Sequence, residues 1–239
     1  MSEQQSQLFL PLNIGHLIED GFIEGSNILL TGPPGNGKTV FCENFAKSYL
    51  EHGFTCIYVS LDKTPEEVNA NFRKIGVDIE NGVYKDKVIL IDGYSWLVGK
   101  SKNEYHITNL NNLTELNFNI FNAASMLEKP ILLLFNSISP LSLYNPEGFV
   151  LRFLQILYAR IKELGCLGIY IVQAGVHSQE FYSSLEYLVD GVFDMKMGEA
   201  QGSIIRYFRI RSLSSIAHET RWVPFNIDSN REFELQVGV

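Results

Sequence analysis

No run of eighteen apolar residues occurs in this 239-residue chain, so no segment has the length needed to cross a bilayer as a helix. Met1 to Gln7 are polar and lack the basic-then-apolar layout of a secretory leader, which predicts a cytoplasmic protein without a membrane anchor. Cysteine is scarce. Cys42, Cys56 and Cys166 are odd in number, widely separated and set in apolar segments, the pattern of reduced core thiols and not of disulfides or a metal cage. Positive charge is also short: 19 Lys and Arg face 27 Asp and Glu, and the formal net charge of −8 works against a high-affinity nucleic-acid surface. Internal repeats, linkers and low-complexity stretches are absent, while 46% hydrophobic residues suffice for a sizeable core.

What is present is a regular alternation. Apolar, strand-like runs cover 27–31, 56–61, 88–92, 131–136 and 168–173, and helical patterns fall between them at 39–52, 65–75, 112–127, 147–164 and 179–188. This order predicts an α/β fold with a mostly parallel central sheet and helices on both faces. Thr64-Pro65-Glu66-Glu67 marks one helix start sharply, with an N-cap, a proline at the first helical position and a glutamate three residues past the cap. From Gly191 onward the pieces shorten to 192–197, 203–211 and 222–227, which predicts antiparallel strands added at the C-terminal end.

One motif carries chemistry. Gly32-Pro33-Pro34-Gly35-Asn36-Gly37-Lys38-Thr39 is a complete G-x-x-x-x-G-K-[ST] phosphate loop, set between the strand-like Ile28-Leu29-Leu30 and a helix beginning near Val40. Glycines let successive backbone N–H groups converge on phosphate oxygens, and the helix N-terminus adds partial positive charge. Lys38 is then the residue for the β and γ phosphates, and the Thr39 hydroxyl is a ligand for Mg²⁺. Residues 32–40 are therefore the expected nucleotide site, with ATP and Mg²⁺ as cofactors.

Taken together, Gly21-Phe22-Ile23-Glu24-Gly25-Ser26, the phosphate loop, Tyr58 to Asp62, Lys74 to Asp78, and His218 to Ile227 with Pro224-Phe225 resemble the single-domain KaiC-like ATPases of the RecA superfamily. Ile91-Asp92-Gly93-Tyr94-Ser95-Trp96 is similar to a segment of the archaeal RadA-paralogue branch. The resemblance implies a RecA-like P-loop NTPase core over 15–239 preceded by an N-terminal extension at 1–14. It further implies ATP with Mg²⁺ as ligand, and assembly into homo-oligomeric rings or filaments, or onto a protein partner.

Departures from the family pattern fall on the groups that hydrolyse nucleotide. Where the family has two glutamates after the second strand, one of them the catalytic base, this chain has Asp62-Lys63, so Asp62 is either a shortened base or part of a plain strand-to-helix turn. Where the family has Asp-Ser, it has Asn136-Ser137. That amide can meet a Mg²⁺-bound water but carries no charge, or it is an ordinary polar strand end. Ser212 and Ser214 fall where the family's Lys-x-Arg pair faces a neighbouring γ-phosphate, with Arg209 and Arg211 the nearest cations, either substitutes for it or a solvated strand face. Gln173 is a candidate γ-phosphate sensor or a bland strand terminus, and His218 is read as a packing or hydrogen-bonding residue.

The loops 137–148 and 174–190 contain no Lys or Arg, and Tyr144, Phe181, Tyr182 and Tyr187, like Tyr94 and Trp96, are read as packing or subunit contacts rather than base-stacking platforms. Three readings follow: a nucleotide-dependent regulatory or assembly switch, at most a slow ATPase; an active KaiC-like ATPase using Asp62; and a RadA-paralogue accessory in DNA recombination or repair.

Overall fold

Successive strand residues point to opposite faces of a sheet, so a strand apolar at every position must be covered on both sides. In the computed structural model, which describes residues 7–8, 12–18, 21–99, 101, 103–200 and 202–236, that requirement shapes the whole molecule. The strands are β1 (Gln7–Leu8), β2 (Phe22–Ile23), β3 (Asn27–Gly32), β4 (Thr55–Ser60), β5 (Val88–Asp92), β6 (Ile131–Asn136), β7 (Leu167–Gln173), β8 (Gly191–Ala200), β9 (Ser203–Leu213), β10 (Val223–Ile227) and β11 (Phe233–Leu235). The helices are α1 (Lys38–Glu51), α2 (Pro65–Lys74), α3 (Leu113–Met126), α4 (Leu141–Tyr144), α5 (Glu147–Leu164) and α6 (Gln179–Leu188).

A nine-stranded sheet runs in the order β11-β10-β9-β8-β3-β7-β6-β4-β5, and β1 pairs with β2 beside it. Alternate residues divide between two cores. Ile28, Leu30, Cys56, Tyr58, Leu132 and Leu134 face α1 and α2, while Leu29, Ile57, Val59, Leu133 and Phe135 face α3, α5 and α6. All three cysteines are buried and free. An aromatic cluster ties α1 to the late strands: Phe41 stacks on Phe208 at 5.2 Å and meets Phe233 edge-on at 5.2 Å, each such pair adding about 0.5–1.5 kcal/mol beyond area burial.

The α2 start has both halves of its capping box, since Glu67 N donates to Thr64 Oγ1 at 3.3 Å and Thr64 N donates to Glu67 Oε2 at 2.9 Å. At Gly191 the fold corrects the sequence reading. β8 runs parallel to β3, from Ile28↔Gly191 to Thr31↔Asp194, so antiparallel pairing begins only at β9. The physical reason is α6, which carries the chain back across the sheet as a crossover and returns it in the direction of β7. Of the N-terminal extension expected over 1–14, residues 1–6 and 9–11 lie outside the described residues; Leu12–His16 form a short 3₁₀ helix that places Ile14 in the core.

The parallel strands end together. Gly32 lies beside Gln173 and Ser60 beside Asn136, so the carboxyl ends of β3, β7, β6 and β4 form one continuous edge, the place where open α/β sheets bind ligands.

Candidate functional site

At that edge β3 ends in Gly32, the chain turns through 33–37, and α1 begins at Lys38. Gly37 is its N-cap with φ 99°, in the left-handed region that suits glycine, and no side chain caps the first turn. Lys38 folds back over the loop. Its Nζ donates to the carbonyl oxygens of Gly32 and Pro33 at 2.8 Å each and to Asn36 Oδ1 at 3.3 Å. The side chain is only 4% exposed, and burial lowers its pKa from 10.5 to about 8. Asn36 is fully buried, and its Nδ2 has no partner among the described residues. An ammonium resting on backbone carbonyls, an orphaned amide donor and an uncapped helix N-terminus form a donor-rich cradle. A triphosphate would supply the acceptors it lacks, so these residues fit that group.

Behind the cradle, Thr39 Oγ1 faces Asn136 Oδ1 at 3.5 Å. Asn136 Nδ2 donates to the Tyr58 hydroxyl at 2.9 Å, which turns the amide oxygen toward Thr39. Two neutral oxygens thus meet behind the cradle, with no carboxylate between them. Such a pair fits an outer-sphere contact to Mg²⁺ held chiefly by phosphate oxygens.

Asp62 and Gln173 reach a common cavity of about 550 Å³, lined also by Ser137, Ser139, Leu143, Glu147, Val176 and His177. One side of Asp62 remains open to solvent, yet desolvation in the crowded cleft pushes its carboxyl pKa up, opposed by the Lys63 ammonium. Gln173 N donates to Ser139 Oγ at 2.9 Å, and Gln173 Oε1 is buried without a partner among the described residues. The two residues singled out from the sequence therefore share one space with a serine, a histidine and a glutamate that sequence reasoning did not connect.

The late strand is arranged differently. Arg209 donates to Asp194 Oδ2 through Nε at 2.9 Å and Nη2 at 2.7 Å, and lies over the Trp222 ring at 4.3 Å. Arg211 pairs with Glu186 and, at 3.1 Å, with the same Asp194 oxygen. Both guanidinium groups are engaged within their own chain. Ser212 pairs with Val192, Ser214 N donates to Asp190 O at 2.7 Å, and His218 Nδ1 contacts Ile216 O at 2.8 Å. Among the aromatics, Phe181 is buried, the Tyr182 hydroxyl donates to Gln173 O, and half-buried Trp96 meets Tyr144 edge-on at 5.3 Å. Tyr94 is half-buried, and Tyr187 stands 88% exposed.

A family model described as ATPase: KaiC matches residues 13–233. The chain belongs to the KaiC ATPase family. This family binds nucleotide, usually with Mg²⁺, and often oligomerises. Among curated relatives, UPF0273 protein PH0284 of Pyrococcus horikoshii is 26% identical over 220 residues, covering 90% of this chain and 87% of the relative. UPF0273 protein MJ1359 of Methanocaldococcus jannaschii is 26% identical over 215 residues, covering 88% of each. The KaiC-like protein PH0186 of Pyrococcus horikoshii has the same fold, with a TM-score of 0.78 at 22% identity over 98% of this chain and 99% of that one. Among the described residues no helix is long and apolar enough to cross a membrane.

Proposed function

We propose that this KaiC-family protein is an ATP-binding regulatory or assembly switch whose hydrolysis is very slow. Residues 32–40 hold the triphosphate, Lys38 neutralises its β and γ oxygens, and Thr39, with Asn136 through a water, positions Mg²⁺. The observation that carries the reading is the neutral Thr39–Asn136 pair behind a complete phosphate loop. Binding donors are present while the charge that would organise the metal for hydrolysis is absent.

Two further features support slow turnover. Asp62 is one methylene shorter than the family's glutamate, and a misplacement on the order of 1 Å can cost 10²-fold in rate. Arg209 and Arg211 are tied to Asp194 and Glu186, so neither is free to act as a finger, a device worth about 10³ to 10⁵ in rate in other NTPases. These losses act on one transition state and do not multiply. Bound nucleotide then serves to select a conformation or assembly in the cytoplasm.

An active ATPase is the second reading, favoured by Asp62 and Gln173 facing one cavity. A RadA-paralogue role in DNA repair has less support, because residues 137–148 and 174–190 contain no Lys or Arg.

The test is thermal melting with ATP and Mg²⁺. At 100 times Kd the ligand should add about 2.7 kcal/mol, or roughly 5–11 °C for a chain this size. Lys38→Met should remove that shift. Equal melting temperatures of the wild type with and without ATP, or turnover of several per second that Lys38→Met abolishes, would overturn the proposal.

A further inference from the structure

Three side chains that nucleotide binding does not use meet at one wall of the cavity beyond β6 and β7. Ser139 follows β6, Glu147 opens α5, and His177 lies between β7 and α6. Ser139 Oγ stands 2.9 Å from His177 Nε2, and His177 Nδ1 stands 3.3 Å from Glu147 Oε1.

The direction of the first hydrogen bond follows from the groups on either side of the pair. Gln173 N donates to Ser139 Oγ at 2.9 Å, and an amide N–H can only donate. Ser139 Oγ therefore accepts from Gln173 through one lone pair, and the Glu147 carboxylate beside His177 Nδ1 sets the direction of the bond between the hydroxyl and the ring. That negative charge favours the ring proton on Nδ1, which leaves the Nε2 lone pair to receive the Ser139 proton. Across that contact the Glu147 carboxylate raises the imidazole pKa, against the burial that lowers it. Glu147 is itself fixed, accepting from Ser178 N at 3.2 Å and from Ser178 Oγ at 2.6 Å, and these bonds hold its carboxyl below the usual carboxylate range. The imidazole is nearly buried against Phe181 and Tyr182, and burial lowers its pKa below the ordinary 6.5, which leaves it neutral near pH 7.

A hydroxyl aimed at a neutral imidazole, with a carboxylate behind the ring, is the arrangement of an activated nucleophile. We propose that Ser139 is such a nucleophile, that His177 is its general base and Glu147 a positioning residue, and that the site cleaves uncharged short-chain acyl esters. The cavity of about 550 Å³ offers Pro140, Leu143 and Val176 to an acyl chain, while the Asp62 carboxylate on its wall disfavours anionic substrates. Ser142 Oγ, buried and without a partner among the described residues, lines the same space and is a donor available to a developing oxyanion.

In the first step the Ser139 Oγ–carbonyl carbon bond forms as the hydroxyl proton passes to His177 Nε2. The ester C–O bond then breaks, and the leaving alkoxide takes that proton and departs as an alcohol. Water next adds to the acyl carbon, giving a proton to His177, and the Oγ–carbon bond breaks as Ser139 recovers its proton and the free acid leaves.

The full-length wild type is treated with a neutral fluorophosphonate probe, the labelled peptide is identified by mass, and p-nitrophenyl butyrate hydrolysis is followed in parallel. A single label on Ser139 is expected. His177→Gln should slow labelling by on the order of 10², the usual worth of a positioned base. Glu147→Gln should move the pH midpoint of labelling lower. The charged or titratable groups facing His177 are Glu147 from α5, Tyr182 from α6 and Asp62 across the cavity, and Glu147 is the one whose negative charge raises the imidazole pKa. Ser139→Ala should abolish both labelling and hydrolysis; should it fail to fold, the mapped wild-type label and the His177→Gln rate decide. An unlabelled wild type, a label on another serine, or unchanged labelling in His177→Gln would overturn the proposal.

Discussion

Asn136→Asp restores one charge at a single, well-defined point. Asn136 is 1% exposed, its Nδ2 donates to the Tyr58 hydroxyl, and its Oδ1 faces Thr39 at 3.5 Å. A carboxylate has nearly the same shape, and the Tyr58 hydroxyl can rotate to donate to it, so packing changes little. The charge does not. An ionised group buried with two hydroxyl partners and no cation costs about 2–4 kcal/mol, which for a chain of this length lowers the melting temperature by roughly 5–15 °C. With Mg²⁺ and ATP present, the same carboxylate gains a metal-bound water, and at least half of the loss should be recovered. The assay is four melting curves, wild type and variant, each with ATP and with or without Mg²⁺. If the variant melts lower by the same amount in both conditions, residue 136 does not face the metal, and the reasoning about the neutral pair fails.

The remaining predictions concern charge and packing near the cradle. Lys38 is held charged in a buried place, with its folded pKa near 8 below the unfolded 10.5, so without ATP the burial cost is fully present below pH 8 and is relieved as pH rises toward 10.5. Lys38→Met should therefore melt higher than wild type at pH 7 without ATP, by about 1–2 kcal/mol after loss of the carbonyl contacts, and the gap should close near pH 10. Glu43 is wholly buried and paired with Arg231; Arg231→Ala strands its charge and should cost about 3–5 kcal/mol by urea unfolding. Burial already raises the Glu43 pKa, so this loss should be larger at pH 8 than at pH 5, and Glu43→Gln in the same chain should restore most of it. Phe41→Ala should cost about 3–5 kcal/mol, because four neighbouring rings cannot collapse into the void. Asp194→Asn should lower the melting temperature without changing the shift produced by ATP, as Asp194 anchors Arg209 and Arg211 and does not reach the loop.

Local signals made the parallel strands and long helices legible. Glu147–Leu164 and Gln179–Leu188 fall where periodicity puts them, because a half-buried helix writes its apolar stripe into consecutive turns. The phosphate loop was legible for a similar reason, since its eight residues are contiguous and each has a role. Direction of pairing was not. Nothing in 192–197 records whether its neighbour runs with it or against it, and α6, not β8, decides that. Elements of two to four residues such as β1, β2, β11 and α4 are shorter than any period. The partners of Asn136 and Arg209 were equally hidden, because Tyr58 and Asp194 reach them from other strands. Ser139, Glu147 and His177 are 38 residues apart end to end and carry no spacing rule of their own; only the folding of two loops and the start of α5 onto one edge makes them neighbours.

Gly37 packs directly against β10, since a Cβ there would come within 2.6 Å of Ile227 Cδ1 and displace it. Two turns further along α1, Asn44 clasps the backbone of the tail, donating to Arg231 O at 2.8 Å and accepting from Phe233 N at 3.3 Å, and Lys47 grips Glu232 at 2.6 Å. The C-terminal strands therefore act as a wedge driven in behind the loop, and the two should stiffen or loosen together. A ligand that quiets residues 32–39 should slow amide exchange across 223–235, and trimming that tail should blunt the cradle's grip without touching a single residue in it.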